Sequence, residues 1–401
     1  MNRRIKVVWL CHMVNEKLND YFGTNLNMTA YWMTQFLDVI KGRNIDIHIV
    51  APNYFTNKKI EFELEGVHYH LYKYYSGIIK DPRYAYLEIA LRRQRNIIEA
   101  TSELIDSIAP DIIHLFGAEN ITYSSGVLPY IEKTPVLVSF QGYIQLAEQK
   151  GSFLRNYVIN KRSVTESEIL KHCKYISFGE FEGSSRNYYE NNYGSAKIYP
   201  INFPFKKAAL DATTVKKEFD VVFWGRVTVD KGVEDLLQAM LILKKKRPDI
   251  RCLILGGGSE EYMKKLRDYV SSNSLSENVV FGGFQRTDEE LFSNAAKALV
   301  YVLPTHYDAL PGSIRESMLL KLPVVTYPVG DIPLLNKTKQ CVLLADYLDV
   351  NSLAGKIDSV LTDEELRSEL IVNAFEQACL YGSGERIADQ IEACYREILN
   401  G

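Results

Sequence analysis

At 401 residues the chain exceeds what one compact core usually holds, and two domains of about 180–200 residues each are expected. Hydrophobic residues make up 46% and charged residues 24%, which excludes a mainly disordered chain. The 47 basic and 50 acidic residues leave a net charge of −3, which argues against nucleic-acid binding driven by bulk charge.

Read in chain order, Ile5–Leu10 is a first strand, Ala30–Ile40 a helix and Ile45–Val50 a second strand. Val67–Tyr72 follows as a strand, then a long helical pattern from Tyr84 to Ser107. Asp111–Leu115, Pro135–Phe140, Tyr175–Phe178 and Lys197–Tyr199 complete the strands of this half. Pro200–Lys207 carries two prolines and no periodicity, and reads as an interdomain linker. The pattern then restarts with strands Asp220–Trp224, Arg251–Leu255, Asn278–Gly282, Ala298–Val302 and Val324–Tyr327. Helices Gly232–Lys246, Glu260–Asn273, Asp288–Ala295 and Ser313–Leu320 alternate with them, and Asn351–Leu361, Asp363–Tyr381 and Gly384–Leu399 end the chain. Alternating short strands and longer helices predict two α/β, doubly wound, parallel-sheet domains facing a central cleft, where ligands bind just beyond the strands' carboxyl ends. The expected division is 1–205, 206–381 and a closing helix, 382–401, that packs back toward the first domain.

Six cysteines at 11, 173, 252, 341, 379 and 394 form no C-x-x-C pair, which suits a reducing cytosol better than a disulfide framework or zinc site. The first apolar run is too short for a signal peptide, and no run is long enough to span a membrane. A cytoplasmic protein with, at most, peripheral contact at the inner face of the membrane is expected. The turn after the first strand, Cys11–Glu16, lacks G-x-G-x-x-G, and Gly256-Gly257-Gly258 is not completed by a later glycine. No P-loop pattern is present, so a nicotinamide dehydrogenase or a P-loop kinase lacks its anchor.

Two motifs carry chemistry. Gly225-Arg226-Val227-Thr228-Val229-Asp230-Lys231-Gly232 lies between a strand and a helix, and two cations five residues apart suit a diphosphate. In Asp308-Ala309-Leu310-Pro311-Gly312-Ser313-Ile314-Arg315-Glu316, Gly312 and Ser313 open a helix whose free N–H groups form an anion site. Glu316, one turn in, is placed to accept from a ribose diol, and Asp308 to take sugar hydroxyls.

Together with Leu253–Gly258, Val279–Phe284 and Pro323-Val324-Val325, these motifs resemble the carboxy-terminal domain of glycosyltransferase family 4, of the GT-B fold. The resemblance covers about Asp220–Leu361. It implies that Arg226 and Lys231, with Gly225 in their loop, hold a donor diphosphate, and that Gly312, Ser313 and Ile314 bind phosphate through backbone N–H groups. Glu316 would bind the ribose, Asp308 the donor sugar, and Gly283 and Phe284 would edge the nucleobase. The family's usual acid at the first position is Glu; Asp308 is one methylene shorter, and Ala309 stands where a glycine is usual.

The first half resembles the family more loosely. His114 closes a strand whose following turn has Phe116 where a second histidine often stands, and Gln141 takes a histidine's place in Val138–Tyr143. His114 reads equally well as a satisfied strand-end residue. Gly23 and Thr24 fall in a turn matching the glycine-containing loop that faces the acceptor. His12, His48, His68, His70 and His172 read as structural. Tyr72–Tyr75, Ile78–Lys80, Arg83, Tyr84 and Arg92–Arg95 interleave basic and aromatic residues, either as a contact for anionic lipid or acceptor diphosphate, or as a solvated helix face with packed tyrosines.

The expected activity is sugar transfer from a UDP- or GDP-type nucleotide sugar to a hydroxyl on a glycan or lipid-linked acceptor, with retention of configuration implied by the family. No metal is expected for the chemistry, since no D-x-D pattern occurs. A GT-B-shaped sugar-nucleotide epimerase and a non-catalytic nucleotide-sugar-binding subunit remain the alternatives.

Overall fold

A computed structural model describes residues 3–26, 31–74, 94–140, 142–143, 153–180, 183–204 and 210–401. The chain divides into two units, one of residues 1–180, 185–204 and 384–401, the other of 181–184 and 205–383. The return of the last residues to the first unit and the brief excursion at 181–184 mean that neither unit is one continuous stretch.

In the first unit, β1 (Ile5–Leu10), β2 (Ile45–Pro52), β3 (Ile60–Leu64), β4 (Val67–Tyr72), β5 (Ile112–Phe116), β6 (Val136–Ser139), β7 (Tyr175–Phe178) and β8 (Lys197–Pro200) form one sheet. Its order is β3-β4-β2-β1-β5-β6-β7-β8, with β3 antiparallel to β4 and the other pairs parallel. A central parallel strand is covered on both sides, which is why β1 reads as a nearly unbroken apolar run. One face packs Val8, Leu115 and Val138 against Ile97, Leu104 and Ile105 of the helix Gln94–Ile108. The other packs Val7, Trp9 and Ile49 with Phe36 and Ile40 of the helix Tyr31–Ile40 and with the last helix, Gly384–Asn400. Ile387, Ile391, Tyr395 and Ile398 recur on that helix at three- and four-residue spacing, so one stripe is buried.

The second unit holds β9 (Phe219–Trp224), β10 (Cys252–Leu255), β11 (Val279–Gly283), β12 (Ala298–Leu303), β13 (Val324–Thr326) and β14 (Leu343–Leu344). All pairs are parallel and the order is β11-β10-β9-β12-β13-β14, the dinucleotide-domain order in which the chain reverses direction between β9 and β12. Two of its helices start at side-chain caps in which Ser259 accepts from Tyr262 N–H and Thr287 from Glu290 N–H.

Besides single 3-10 turns and the helix Gly183–Asn192, which buries only Tyr189, four elements escape the sequence reading. β3 is an exposed edge strand with two outward glutamates, and β14 is two residues long. The helix Glu16–Phe22 is short, and the helix Phe153–His172 buries Thr165 and Glu166 along with Ile169 and Leu170, so its inward side carries no clean apolar stripe. No helix among the described residues is long and apolar enough to cross a membrane.

Candidate active site

The site is assembled on loops that leave the carboxyl ends of β9, β10 and β12. Backbone bonds lace the first two together, Gly225 N–H to Leu255 O at 3.2 Å and Val227 N–H to Gly257 O at 2.9 Å. Gly256 sits at φ +136° with the Gly225 carbonyl where a Cβ would fall, so only glycine permits this approach. The β12 loop is tied in through Asp230 O, which accepts from His306 N–H at 2.7 Å and from the Thr305 hydroxyl at 3.1 Å.

That lacing brings Lys231 and Asp308 into direct contact, Nζ on the carboxylate, with side chains only 14% and 20% exposed. Arg226 behaves differently. Its guanidinium is 75% exposed and its nearest acid, Asp230, lies 3.9 Å away. One cation is therefore held against the loops and the other projects into solvent.

Gly312 begins the helix Gly312–Leu319, preceded by Pro311 with no side-chain cap. Its first N–H groups point out of the helix end, and the dipole adds partial positive charge there. A Cβ at Gly312 would meet nothing within 4 Å, so packing within the protein does not demand a glycine there. Ile314 is fully buried and offers only its backbone. Ser313 is fixed from beneath: its Oγ lies 2.8 Å from the Tyr301 hydroxyl, which also lies 3.1 Å from the Trp224 carbonyl. With one proton, that phenol donates to the carbonyl and accepts from Ser313. Burial holds the Tyr301 phenol well above its ordinary pKa, keeping it neutral. Trp224 stacks on Tyr301 at 3.9 Å between ring centroids and donates its indole N–H to Glu316 at 3.4 Å. Trp224 and Tyr301 thus orient both polar residues of the helix start, and the sequence reading missed them because aromatic residues in strands read as core.

Beyond β11, Phe284 is 74% exposed. The register slips between Ile254 and Leu255 of β10, and Gly283 O accepts from Gly256 N–H at 2.8 Å. Gln285 closes the turn, donating to Gly282 O and Gly283 O and accepting from Asn294. Its amide is committed to shaping the loop, which leaves Phe284 as the presented ring.

In the first unit the expected contacts are placed differently. His114 is fully buried, with Nδ1 2.6 Å from the Tyr395 hydroxyl and Nε2 2.7 Å from Ser139 Oγ, and burial keeps it well below its usual pKa. Of the two readings open for it, the structural one holds, because both ring nitrogens are occupied inside the core. Gly23 is the left-handed cap of the helix Glu16–Phe22, and the Thr24 hydroxyl donates to Asn19 Oδ1 at 2.8 Å. Asn19 also bonds Leu26 through N–H and carbonyl, so it shapes this loop. Gln141 lies outside the described residues, as do 75–93 of the basic-aromatic segment. Tyr72 and Tyr74 are buried, Tyr72 donating to Thr122 O, which for these two residues agrees with the reading of packed tyrosines. Glu119, on the loop after β5, was not anticipated: burial pushes its carboxyl up to about 7, and Oε2 has no hydrogen-bond partner among the described residues.

Two doubly wound parallel domains in one chain, the second with cations and an uncapped helix start beyond its central strands, define the GT-B architecture. Residues 206–377 match the family described as Glycosyl transferases group 1. Among curated relatives, the capsular polysaccharide biosynthesis glycosyltransferase CapM of Staphylococcus aureus is 24% identical over 203 residues, 49% of this chain and 52% of that protein. The chain spans about half the length of the first curated relatives it matches. Sucrose-phosphate synthase from Thermosynechococcus elongatus superposes with a TM-score of 0.76 at 18% identity, over 99% of this chain and 100% of that one. Anabaena HepE, solved in complex with UDP and glucose, superposes at 0.68 with 14% identity, over 97% and 99%. The chain has the GT-B fold, and most of its second unit is similar to the glycosyl transferases group 1 family.

Proposed function

We propose that the protein is a glycosyltransferase that moves a sugar from a nucleoside-diphosphate donor to a hydroxyl acceptor with retention of configuration. The observations that carry this reading are the Lys231–Asp308 ion pair and the uncapped start of Gly312–Leu319, which set a cation, a carboxylate and free N–H groups on loops after β9 and β12. In this reading Arg226, Lys231 and the N–H groups of Gly312, Ser313 and Ile314 hold the diphosphate. Glu316, oriented by Trp224, takes the ribose, Asp308 takes sugar hydroxyls, and Phe284 with Gly283 lies along the base.

Charge on the diphosphate grows as the glycosidic bond breaks, so fixed cations and N–H dipoles stabilise the transition state more than the bound donor. Asp308 holds Lys231 in place against the loops, so the cation is preorganised for the diphosphate. Front-face displacement fits this arrangement: the acceptor oxygen bonds the anomeric carbon as the bond to the diphosphate breaks, and the departing phosphate takes the acceptor proton. The name of CapM, a capsular polysaccharide biosynthesis glycosyltransferase, supports a polysaccharide-precursor acceptor, here proposed in a lipid-linked form met at the membrane's inner face.

The test is a panel of UDP- and GDP-sugars screened by thermal shift, followed by turnover of the stabilising donor with and without chelator. Turnover that persists in chelator supports the reading. Loss of turnover at saturating donor, restored by magnesium, would overturn the metal-free chemistry, and tight binding with no transfer to any hydroxyl acceptor would favour a binding subunit.

A further inference from the structure

The sheet edge of the first unit carries a second cluster of ligating side chains, remote in sequence from the loops that form the site above. β2 and β4 are parallel neighbours with His48 opposite His68, and β3 lies antiparallel on β4 with Glu63 opposite His68 and Glu61 opposite His70. Along β2 and β4, Ile45, Ile47, Ile49, Val67, Tyr69 and Leu71 are buried, while Asp46, His48, His68 and His70 alternate with them on the other face. A parallel sheet is ordinarily apolar on both faces, so imidazoles and a carboxylate here call for a reason.

We propose that Asp46, His48 and His68 form a site for a divalent first-row transition ion of the zinc class, with Glu63, His70 and Glu61 as outer partners. One ligand atom from each of the three residues lies within 4.8 Å of the others. His48 Nε2 is 3.4 Å from Asp46 Oδ2 and His68 Nε2 is 3.5 Å from Asp46 Oδ1. These spacings are long for hydrogen bonds. They match the edge of about 3.4 Å expected between two ligands of a tetrahedral ion bonded at about 2.0–2.1 Å.

The outward nitrogens complete the pattern. His70 Nδ1 lies 2.7 Å from Glu61 Oε2 and donates to it, which leaves His70 Nε2 as the acceptor for His48 Nδ1–H at 3.0 Å. A neutral His48 then turns the Nε2 lone pair toward the Asp46 carboxylate, an arrangement a bound cation satisfies and a hydrogen bond does not. His68 points Nδ1 toward Glu63 Oε2 at 3.8 Å. Each ligand imidazole thus has an acceptor behind it, the arrangement that fixes tautomer and ring orientation in metal sites. Two nitrogens and one carboxylate oxygen favour zinc-class ions over magnesium or calcium. The ion would join β2 to β4 at the sheet edge.

Titration of the chelator-dialysed full chain with zinc chloride, magnesium chloride serving as control, tests this. One zinc equivalent per chain is expected, with cobalt giving d–d absorption and no thiolate charge-transfer band. His48→Ala and His68→Ala should abolish the zinc heat, and Glu63→Gln should weaken it by about 10–100-fold. Asp46→Asn, which preserves side-chain shape, decides the matter should either histidine variant fail to fold: affinity should drop at least as far as in Glu63→Gln. Cys379→Ser, which removes the one exposed cysteine, should leave binding unchanged. Zinc binding that survives Asp46→Asn, or no zinc heat beyond the magnesium control, overturns the proposal.

Discussion

Arg226 and Lys231 stand five residues apart, yet the fold gives them different surroundings, so their removal should differ. Either change to Ala should lower kcat by about 30–1000-fold, from about 2–4 kcal/mol of lost transition-state stabilisation. Lys231→Ala also strands the mostly buried Asp308 carboxylate, so it alone should lower the melting temperature. Steady-state kinetics and melting curves on both variants check this, and wild-type turnover in both would remove the loop from the diphosphate. Asp308 faces two demands, the sugar and Lys231. Asp308→Asn frees the lysine and removes a negative charge near the diphosphate, so binding of the free nucleoside diphosphate should tighten by about 1 kcal/mol, roughly fivefold, while discrimination among donor sugars falls. Calorimetry with the free nucleotide and a donor panel separate the two effects. The charged members of this group were legible as candidates because loop cations and an acid one turn into a helix stand out against an apolar sheet. Their pairing was not, since 77 residues separate Lys231 from Asp308.

At the scale of elements, the helix start depends on what lies beneath it. Tyr301→Phe removes the hydroxyl shared by Ser313 and the Trp224 carbonyl, leaving a buried acceptor unpaired at a cost of about 1–3 kcal/mol. Both stability in urea and donor affinity should fall, with Phe284→Ala, exposed on a tied loop, lowering affinity alone. Strands such as β1, β4 and β7 were read to the residue because both of their neighbours are strands and at least one face is buried in the core. β3 was missed although Ile60-Glu61-Phe62-Glu63-Leu64 alternates cleanly, because five residues with two glutamates look equally like a polar loop. The helix Phe153–His172 was missed because helical periodicity marks only helices whose inward face is apolar.

Across the whole molecule, acid–base behaviour should report Glu119. Its carboxyl is raised by burial from the ordinary 4.5 to about 7, so between those values the folded chain binds more protons than the unfolded one. Stability from this group is therefore full below about pH 4.5 and is lost as pH rises through about 7. Glu119→Gln should flatten the melting temperature over that window, and an unchanged slope would show that the group is solvated. The histidine at the heart of the first unit depends on the far end of the chain, since Tyr395 bonds both His114 and Trp9. A chain ending at 383 should leave these two rings without that partner and expose Val7, Trp9 and Ile49, giving a first unit that aggregates while the second melts normally.

The same helix sets an order of events during synthesis. The strands of the first unit emerge from the ribosome before those of the second, but its core cannot close until Ile387, Ile391 and Tyr395 have followed. The second unit, drawn almost wholly from 205–383, is complete earlier. The usual amino-to-carboxyl sequence of domain folding is thereby inverted, and the half-covered first sheet must be kept from other chains until the helix Gly384–Asn400 has been made.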